Sequence, residues 1–439
     1  MKKDKITGLL FFWFISILAT VAEAQSNSPI ANQGFVYKGK QDHQAAESHK
    51  KPSDTSKYTK LVEWQDGYLD IHHINTGSGD ACFMIFPDGT TLLFDAGNLN
   101  QKRFGAKYAP MKTTSPKPDS SRSASQWIAK YIKDRLYNIK QPKIDYALVS
   151  HFHDDHYGSL VDLGRTIPIK KIIDRNYPDY DFPVDLKTYL QADNDFKKYL
   201  AFIEHSKVKT ESLKAGSNTQ ITLKTGAERY PTFSVRNVKS NADIWTGLGE
   251  NTVPHFTAND ITTFYKGKFN ENTLSLAIKI AYGPFDYFTG GDNTGLQGFG
   301  LPAWFDVETP MAKAVGKVEV TTLNHHGNRD ATNAFFLKTL NPKVVVQQSW
   351  CSDHPGQEVF HRLIDRNEQA EPRAIFATNL FDELKVVYGP WLVNSYKSTQ
   401  GHILVRVHPG GKTYEVIVLD DSLPETRVKK VFGPYHSID

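Results

Sequence analysis

Cysteine is nearly absent: Cys82 and Cys351 are the only two in 439 residues. Two thiols make no disulfide framework, so the fold must rest on a packed core. Cys82 sits inside an apolar, strand-like run and reads as a buried free thiol. An excess of one charge is missing as well. The 52 Lys and Arg nearly balance the 48 Asp and Glu, leaving a formal +4. Over this length that gives no electrostatic pointer to nucleic acid or to acidic membranes. There is no short-period repeat. Hydrophobic residues at 39% and charged residues at 23% permit a core and exclude wholesale disorder.

Long apolar runs are missing too, with one exception. Lys2, Lys3 and Lys5 precede an apolar run from Ile6 to Val21, and Ala22-Glu23-Ala24 follows with small residues. This is the three-part grammar of a secretory signal. The run is shorter than the ~20 residues of a spanning helix, so cleavage near Gln25 is expected over an uncleaved anchor. No Cys follows the cleavage site to carry a lipid, and no second stretch is long and apolar enough to span a bilayer. The expected location is the periplasm or the medium. Residues 25–62 are polar, lack an apolar period and read as a flexible leader. Residues 63–439 read as one domain, with insertions around 98–122 and 160–260.

From Tyr68 the pattern becomes β-rich. Tyr68–Asn75, Asp80–Phe86 and Thr91–Phe94 read as a meander, separated by Gly77-Ser78-Gly79 and Pro87-Asp88-Gly89. Asn98 to Arg122 reads as a polar stretch. Ser123 can cap a helix to about Leu136, with Gln126 completing a capping box. Asp145–Ser150 reads as a buried strand. Ile167–Ile173, Gln220–Leu223 and Phe233–Val238 read as strands, and Leu186–Ile203 as helical. In the second half, Thr273–Ile280, Phe285–Phe288, Val318–Leu323 and Val344–Gln348 read as strands, with a helix near Asn333–Leu340. Gly401–Val407 and Tyr414–Leu419 are terminal strands. Strands alternating with helices in two halves predict an α/β arrangement of two packed sheets with helices outside.

His151-Phe152-His153-Asp154-Asp155-His156 follows the buried strand directly. Imidazoles and carboxylates suit zinc and similar divalent ions. In an extended loop His151 and His153 can face one ion, while Asp155 and His156 reach a second close by. Two ions about 3.5–4 Å apart can share a hydroxide and make it a nucleophile at neutral pH. One loop cannot close such a site. Asp292 and the pair His325 and His326 follow later strands and are the candidates to complete it.

The order of these segments resembles the metallo-β-lactamase superfamily. More narrowly, it resembles the soluble hydrolase domain of bacterial DNA-uptake competence channels and the related phosphorylcholine esterases. The resemblance rests on several segments between residues 68 and 420. Thr76-Gly77-Ser78-Gly79-Asp80-Ala81 with Phe94-Asp95-Ala96-Gly97 is similar to that group's opening hairpin. His151 to His156 is similar to its HxHxDH loop, Asn272-Thr273-Leu274-Ser275-Leu276 to its Asn-x-x-Ser-Leu strand, and Thr289-Gly290-Gly291-Asp292 to its Thr-Gly-Asp turn. His325-His326-Gly327 and His354-Pro355 are similar to its later turns. The resemblance implies a four-layer αββα sandwich holding two divalent ions, zinc first, manganese or iron as alternatives. It implies His151 and His153 on one ion. Asp155, His156 and one of His325 or His326 fall on the other, with a slight preference for His325, and Asp292 bridges. Asp95 would orient a ligand from behind. His354 would face substrate or cap its helix. One departure stands out: many members place a further His between the metal loop and the bridging Asp, where this chain offers only His205 and His255.

The expected activity is therefore metal-dependent hydrolysis of a phosphodiester-type bond outside the cytoplasm, by a bridging hydroxide, with Asp155 and His354 as catalytic candidates. The partner would be a small-molecule or polymeric ester of the cell envelope. Two rival readings are a β-lactam or lactone hydrolase, and a metal-stabilised envelope binding module without turnover. For the last, Tyr177, Tyr180, Phe182 and Trp245 would line a cleft.

Overall fold

The computed structural model describes residues 59–137, 142–365 and 372–438. The expected signal segment, and the expected leader up to residue 58, lie outside the described residues. The end of that leader, Thr59–Lys60, is a strand paired with Arg427 and Val428. Its partner is a C-terminal strand, Arg427–His436, that the sequence reading missed.

Two large sheets carry the fold. The first has ten strands in the order Thr59–Lys60, Arg427–His436, Thr413–Leu419, His402–Val407, Leu69–His73, Ala81–Ile85, Thr91–Ala96, Tyr146–Leu148, Lys171–Asp174 and Lys209–Ser212. The second has nine, from Thr252–Pro254 at one edge through Ala277–Tyr282, Phe285–Gly290, Val320–Thr322 and Val344–Gln347 to Tyr396–Ser398. Strand periodicity splits each central strand between two environments. Cys82 and Met84 enter the layer between the sheets, where they meet Ile278, Tyr287, Val320 and Val344 of the other sheet. Phe83 and Ile85 point the other way, into a layer with Ile128 and Ile132 of the helix Ala124–Arg135. On the outer face of the second sheet, Met311, Phe336, Phe360 and Leu363 from helices close two further clusters. The architecture is thus the αββα sandwich expected of a metallo-β-lactamase fold.

Most local expectations hold. Ser123 accepts from the Gln126 backbone and Gln126 returns the capping box. Both cysteines are free and buried. Three readings need correction. The helix expected over Leu186–Ile203 is two, Leu186–Tyr189 and Asn194–Ser206, because Asp193 caps a new start. Gln220–Leu223 forms no strand; the Gln220 side chain bonds Lys214 N and Ser212 O, turning the chain instead. The polar stretch after Asn98 contains a helix, Gln101–Tyr108, none of whose residues is buried. The aromatics suggested for a binding cleft mostly pack inward: Tyr180 is buried with its hydroxyl on Asp174, and Tyr177 and Phe182 lean on core clusters.

One buried ion pair ties the first sheet together. Arg406 donates through Nε and Nη2 to Asp70 at 2.9 and 2.7 Å, and through Nη1 to the Val62 carbonyl. Removing one partner strands the other in a dry sheet, so Arg406→Ala should cost about 3–5 kcal/mol in denaturant unfolding. The Asp70→Leu/Arg406→Met double variant should recover most of that loss. An equally unstable double variant would show that packing, not the unpaired charge, sets the cost.

Candidate metal centre

The metal-type residues gather where parallel strands of the two sheets end side by side. Thr91–Ala96 runs parallel to Tyr146–Leu148, and Phe285–Gly290 parallel to Val320–Thr322, which is parallel to Val344–Gln347. Their carboxyl ends deliver Asp95, His151, Asp292, His325 and Trp350 to one edge. Leu276 N donates to Ser150 O across the two sheets, and within the second sheet Asp292 N donates to Ser275 Oγ. This is what the Ser275-Leu276 pair of the sequence motif does. The metal loop packs so closely on the opening hairpin that a Cβ on Gly97 would lie 1.8 Å from the Asp155 carbonyl oxygen. Only glycine fits there.

Two donor groups result. Asp155, His156, Asp292 and His326 form one; His151, His153 and Asp292 form the other. In the first, His156 Nε2 lies 3.0 Å from Asp292 Oδ1 and 3.5 Å from Asp155 Oδ2. His326 Nε2 lies 3.1 Å from Asp155 Oδ2 and 3.5 Å from Asp292 Oδ1. A tetrahedron with metal–ligand bonds of ~2.0–2.1 Å has edges of about 3.3 Å, so the spacing suits one ion. In the second group His151 Nε2 stands 3.0 Å from His153 Nδ1 and 3.7 Å from Asp292 Oδ2. Asp292 therefore turns one oxygen to each group. His156 Nε2 and Asp292 Oδ1 are buried and make no hydrogen bond. Two buried polar atoms without an aligned hydrogen bond are what a bound cation would satisfy.

Carboxylates hold the rings from behind. Asp95 Oδ2 is 2.8 Å from His156 Nδ1, and its Oδ1 accepts from Ser150 N. Asp95 sits at φ 63, a left-handed conformation stabilised only by such contacts. Asp80 Oδ1 is 3.0 Å from His326 Nδ1, and Asp330 Oδ1 is 2.5 Å from His325 Nδ1. In the sequence Asp80 belongs to the opening hairpin and starts a strand with no role at the centre, and Asp330 belongs to no motif. His325 and His326 both have positive φ, 48 and 55, so the two rings diverge. His326, not the slightly favoured His325, joins the Asp155 group. His325 Nε2 instead stands 3.6 Å from Asp292 Oδ2 and 3.1 Å from Asn272 Nδ2. Buried Glu308 supports this turn, accepting from Asn324 Nδ2 and from the Thr332 and Asn333 amides. Arg175 and Glu271 support the metal loop, Glu271 also accepting from Phe152 N.

His205 and His255, the two histidines available for the missing ligand, lie in neither group. His205 is exposed and bonded to Ala201 O; His255 faces Asp306 O. His354 does not cap its helix, whose N-cap is Gly356. It is buried, stacks on His326 at 4.9 Å, and lines a cavity of about 520 Å³ over the metal groups. Cys351, Asp353 and His354 also lie within metal-binding distance of one another.

The electrostatics follow from burial among carboxylates. Burial opposes protonation of His156, but Asp292 and Asp155 outweigh it and hold the imidazole well above its ordinary range. Burial is likewise overcome at His326, by Asp80 and Asp292. At His325, Asp330 and Asp292 outweigh burial and raise it to about 9. Burial would raise Asp155, yet His156 and His326 bring it down to about 2. His354 is pushed down to about 3 by burial and by neighbouring His326. Metal ligation needs neutral imidazoles, so loading must expel protons from His156 and His326. In the metal-free protein, the protonated rings add stability that is complete below pH 6.5. It is lost as pH rises through their elevated values. Metal affinity moves the opposite way. The rise in Tm on adding zinc should therefore grow as pH rises above 6.5; a flat profile would show that these rings are not the ligands.

Fold and donor groups together define a metal-dependent hydrolase. Residues 76–234 match the family model described as the metallo-beta-lactamase superfamily, and the αββα sandwich is the fold expected of it. No curated protein matches the sequence. Among solved structures, the chain is similar to a mutant CmlA beta-hydroxylase at 10% identity and TM-score 0.36, covering 77% of this chain and 54% of that one. The chain thus spans about half the length of that protein. It is also similar to a putative metal-dependent hydrolase from Parabacteroides distasonis, at 14% identity and TM-score 0.34, covering 70% of this chain and 92% of that one. A third is zinc-bound PqqB from Methylobacterium extorquens, at 10% identity and TM-score 0.34, covering 77% and 99%.

Proposed function

We propose that the protein is an exported hydrolase of phosphodiesters that works with two divalent ions, zinc first among them. The observation that carries this reading is Asp292, which offers one oxygen to each of two donor groups. When bound, two such ions supply Lewis acidity, positive charge against a phosphate, and a water activated at neutral pH. The remaining work belongs to the chain. Asp95 and Asp80 fix the tautomers and directions of His156 and His326, so that Nε2 of each faces the centre. Asp155 and Asp292 are kept ionised by the imidazoles around them. Lys107 at the cavity favours an anionic substrate.

A leaving alkoxide needs a proton. His354, at about 3, is neutral at neutral pH and is a poor acid for this purpose. His325 suits the task better by position: Asp330 holds its Nδ1, and its Nε2 reaches the cavity 3.6 Å from Asp292 Oδ2. The Asn272 amide beside it has an unpartnered Oδ1; turned over, that oxygen would accept from Nε2–H. His325 is thus the general acid in this reading. Export is supported by the basic, apolar and small-residue order of residues 2–24.

The test is turnover of bis-p-nitrophenyl phosphate by the metal-loaded mature protein, beside nitrocefin. Diester hydrolysis lost on chelation and restored by zinc or manganese supports the reading. Nitrocefin turnover with inert diesters would replace it with a lactam hydrolase.

A further inference from the structure

The helix Gln101–Tyr108 does not belong to the core. No residue of it is buried, yet it is held over the metal cavity. Its Asn100 cap donates through its backbone N–H to Asp154 Oδ2 at 2.9 Å, and Arg103 Nη2 meets the same carboxylate at 2.7 Å. Asp154 is the one acidic residue of the metal loop outside both donor groups. It anchors the helix to the catalytic loop.

Anchored this way, the helix extends a row of aromatic rings outward from a metal-type ligand. The His326 ring lies 5.2 Å from Trp350, edge-on. Trp350 lies 5.4 Å from Phe104, again edge-on, and Phe104 lies 4.8 Å from Tyr108. Leu99, Met111 and Cys351 pack behind Trp350 and Phe104. The Tyr108 ring is 39% exposed, and Lys107 stands at the cavity rim beside it. One wall of the cavity is therefore apolar and ring-lined from the metal groups to the mouth, while the floor is polar and built to hold ions. A half-buried aromatic wall is suited to a flat ring, by offset or edge-on packing. A cavity of about 520 Å³ admits one small substrate, not a folded polymer.

We propose that the Phe104–Tyr108–Trp350 wall binds a planar aromatic group carried by a small anionic phosphodiester, on the side that does not leave. This rests on the phosphodiester reading and names the substrate class. In the reaction the P–O bond to the other group breaks, the oxygen of water joins phosphorus, and the departing alcohol takes a proton. The aromatic arm stays on the phosphomonoester product.

Two measurements separate this inference from the reading beneath it. The first compares kcat/KM for bis-p-nitrophenyl phosphate with that for methyl p-nitrophenyl phosphate, which share a leaving group and differ in the arm that stays. Phe104→Ala and Tyr108→Ala should each lower the aryl-over-methyl preference about tenfold or somewhat less. Metal content should be unchanged, since neither residue belongs to a donor group, and Tm should fall only slightly, since both side chains are partly exposed. The second is binding of phenylphosphonate and methylphosphonate to the zinc-loaded protein by calorimetry, which needs no turnover. The wild type should prefer the phenyl compound, and Phe104→Ala should bring the two near parity. Equal losses on both diesters, or no phenyl preference in the wild type, overturn the aromatic subsite and leave the phosphodiester reading standing. A phenyl preference lost in Phe104→Ala, in a protein inert to both diesters, keeps the subsite and overturns the diester as its substrate.

Discussion

Asp292→Ala should purify with less than one metal ion per chain where the wild type holds close to two, and should lose diester hydrolysis by roughly a thousandfold or more. The expectation comes from the division of its carboxylate. Oδ1 faces His156 and His326, and Oδ2 faces His151 and His325. No other residue belongs to both donor groups. Losing it therefore weakens both ions together and leaves four imidazoles facing one another with less negative charge between them. Asp95→Asn is the comparison that gives this meaning. Asp95 touches only His156 among the ligands, so its loss should cost about 10–100-fold in metal affinity, at one site rather than two. Elemental analysis of the two variants beside the wild type reads the difference. Two ions retained in Asp292→Ala would mean that the buried His and Asp residues form a structural hydrogen-bond network and that no bridge exists.

The second large effect is expected at His325, and it should depend on the leaving group. With both ions in place, His325→Ala should slow hydrolysis of a diester with an alkoxide leaving group by about 10²–10⁴, the range for removing a general acid. p-Nitrophenolate departs without a proton, so bis-p-nitrophenyl phosphate should be slowed far less. Asp330→Asn should act in the same direction more weakly, because the ring stays while its partner on Nδ1 loses charge. Equal slowing of both substrates, with metal content reduced, would instead make His325 a donor to the His151 group, filling the place for which neither His205 nor His255 is available.

Much of this centre is legible in the chain, for reasons that are local. A buried strand at Tyr146–Leu148 running into His151 fixes a loop at a strand end, and the types His, His, Asp, His decide what such a loop can hold. The same reasoning places Asp292 after Phe285–Gly290 and the His-His-Gly turn after Val320–Thr322. The Ser123 capping box was readable because its partners are three residues apart. The helix Gln101–Tyr108 was not, because its residues are polar overall and no apolar face faces the core. It is held by Asp154, 54 positions away from Asn100. The strand Arg427–His436 escaped for a similar reason: it is mostly exposed and carries lysines, and its identity comes from its neighbour Thr413–Leu419.

The sequence alone determined the ligand types, their order, and the strand ends that carry them, because each depends on residues within a few positions of one another. Only the tertiary structure decided which of two adjacent histidines joins Asp155, since that turns on two consecutive left-handed residues aiming neighbouring rings apart. It also decided what holds His326, for Asp80 lies 246 positions away and meets it only when the two sheets pack. The aromatic wall over the metals has the same origin. Phe104 and Trp350 become neighbours through contacts between distant segments, which no local pattern in the chain encodes.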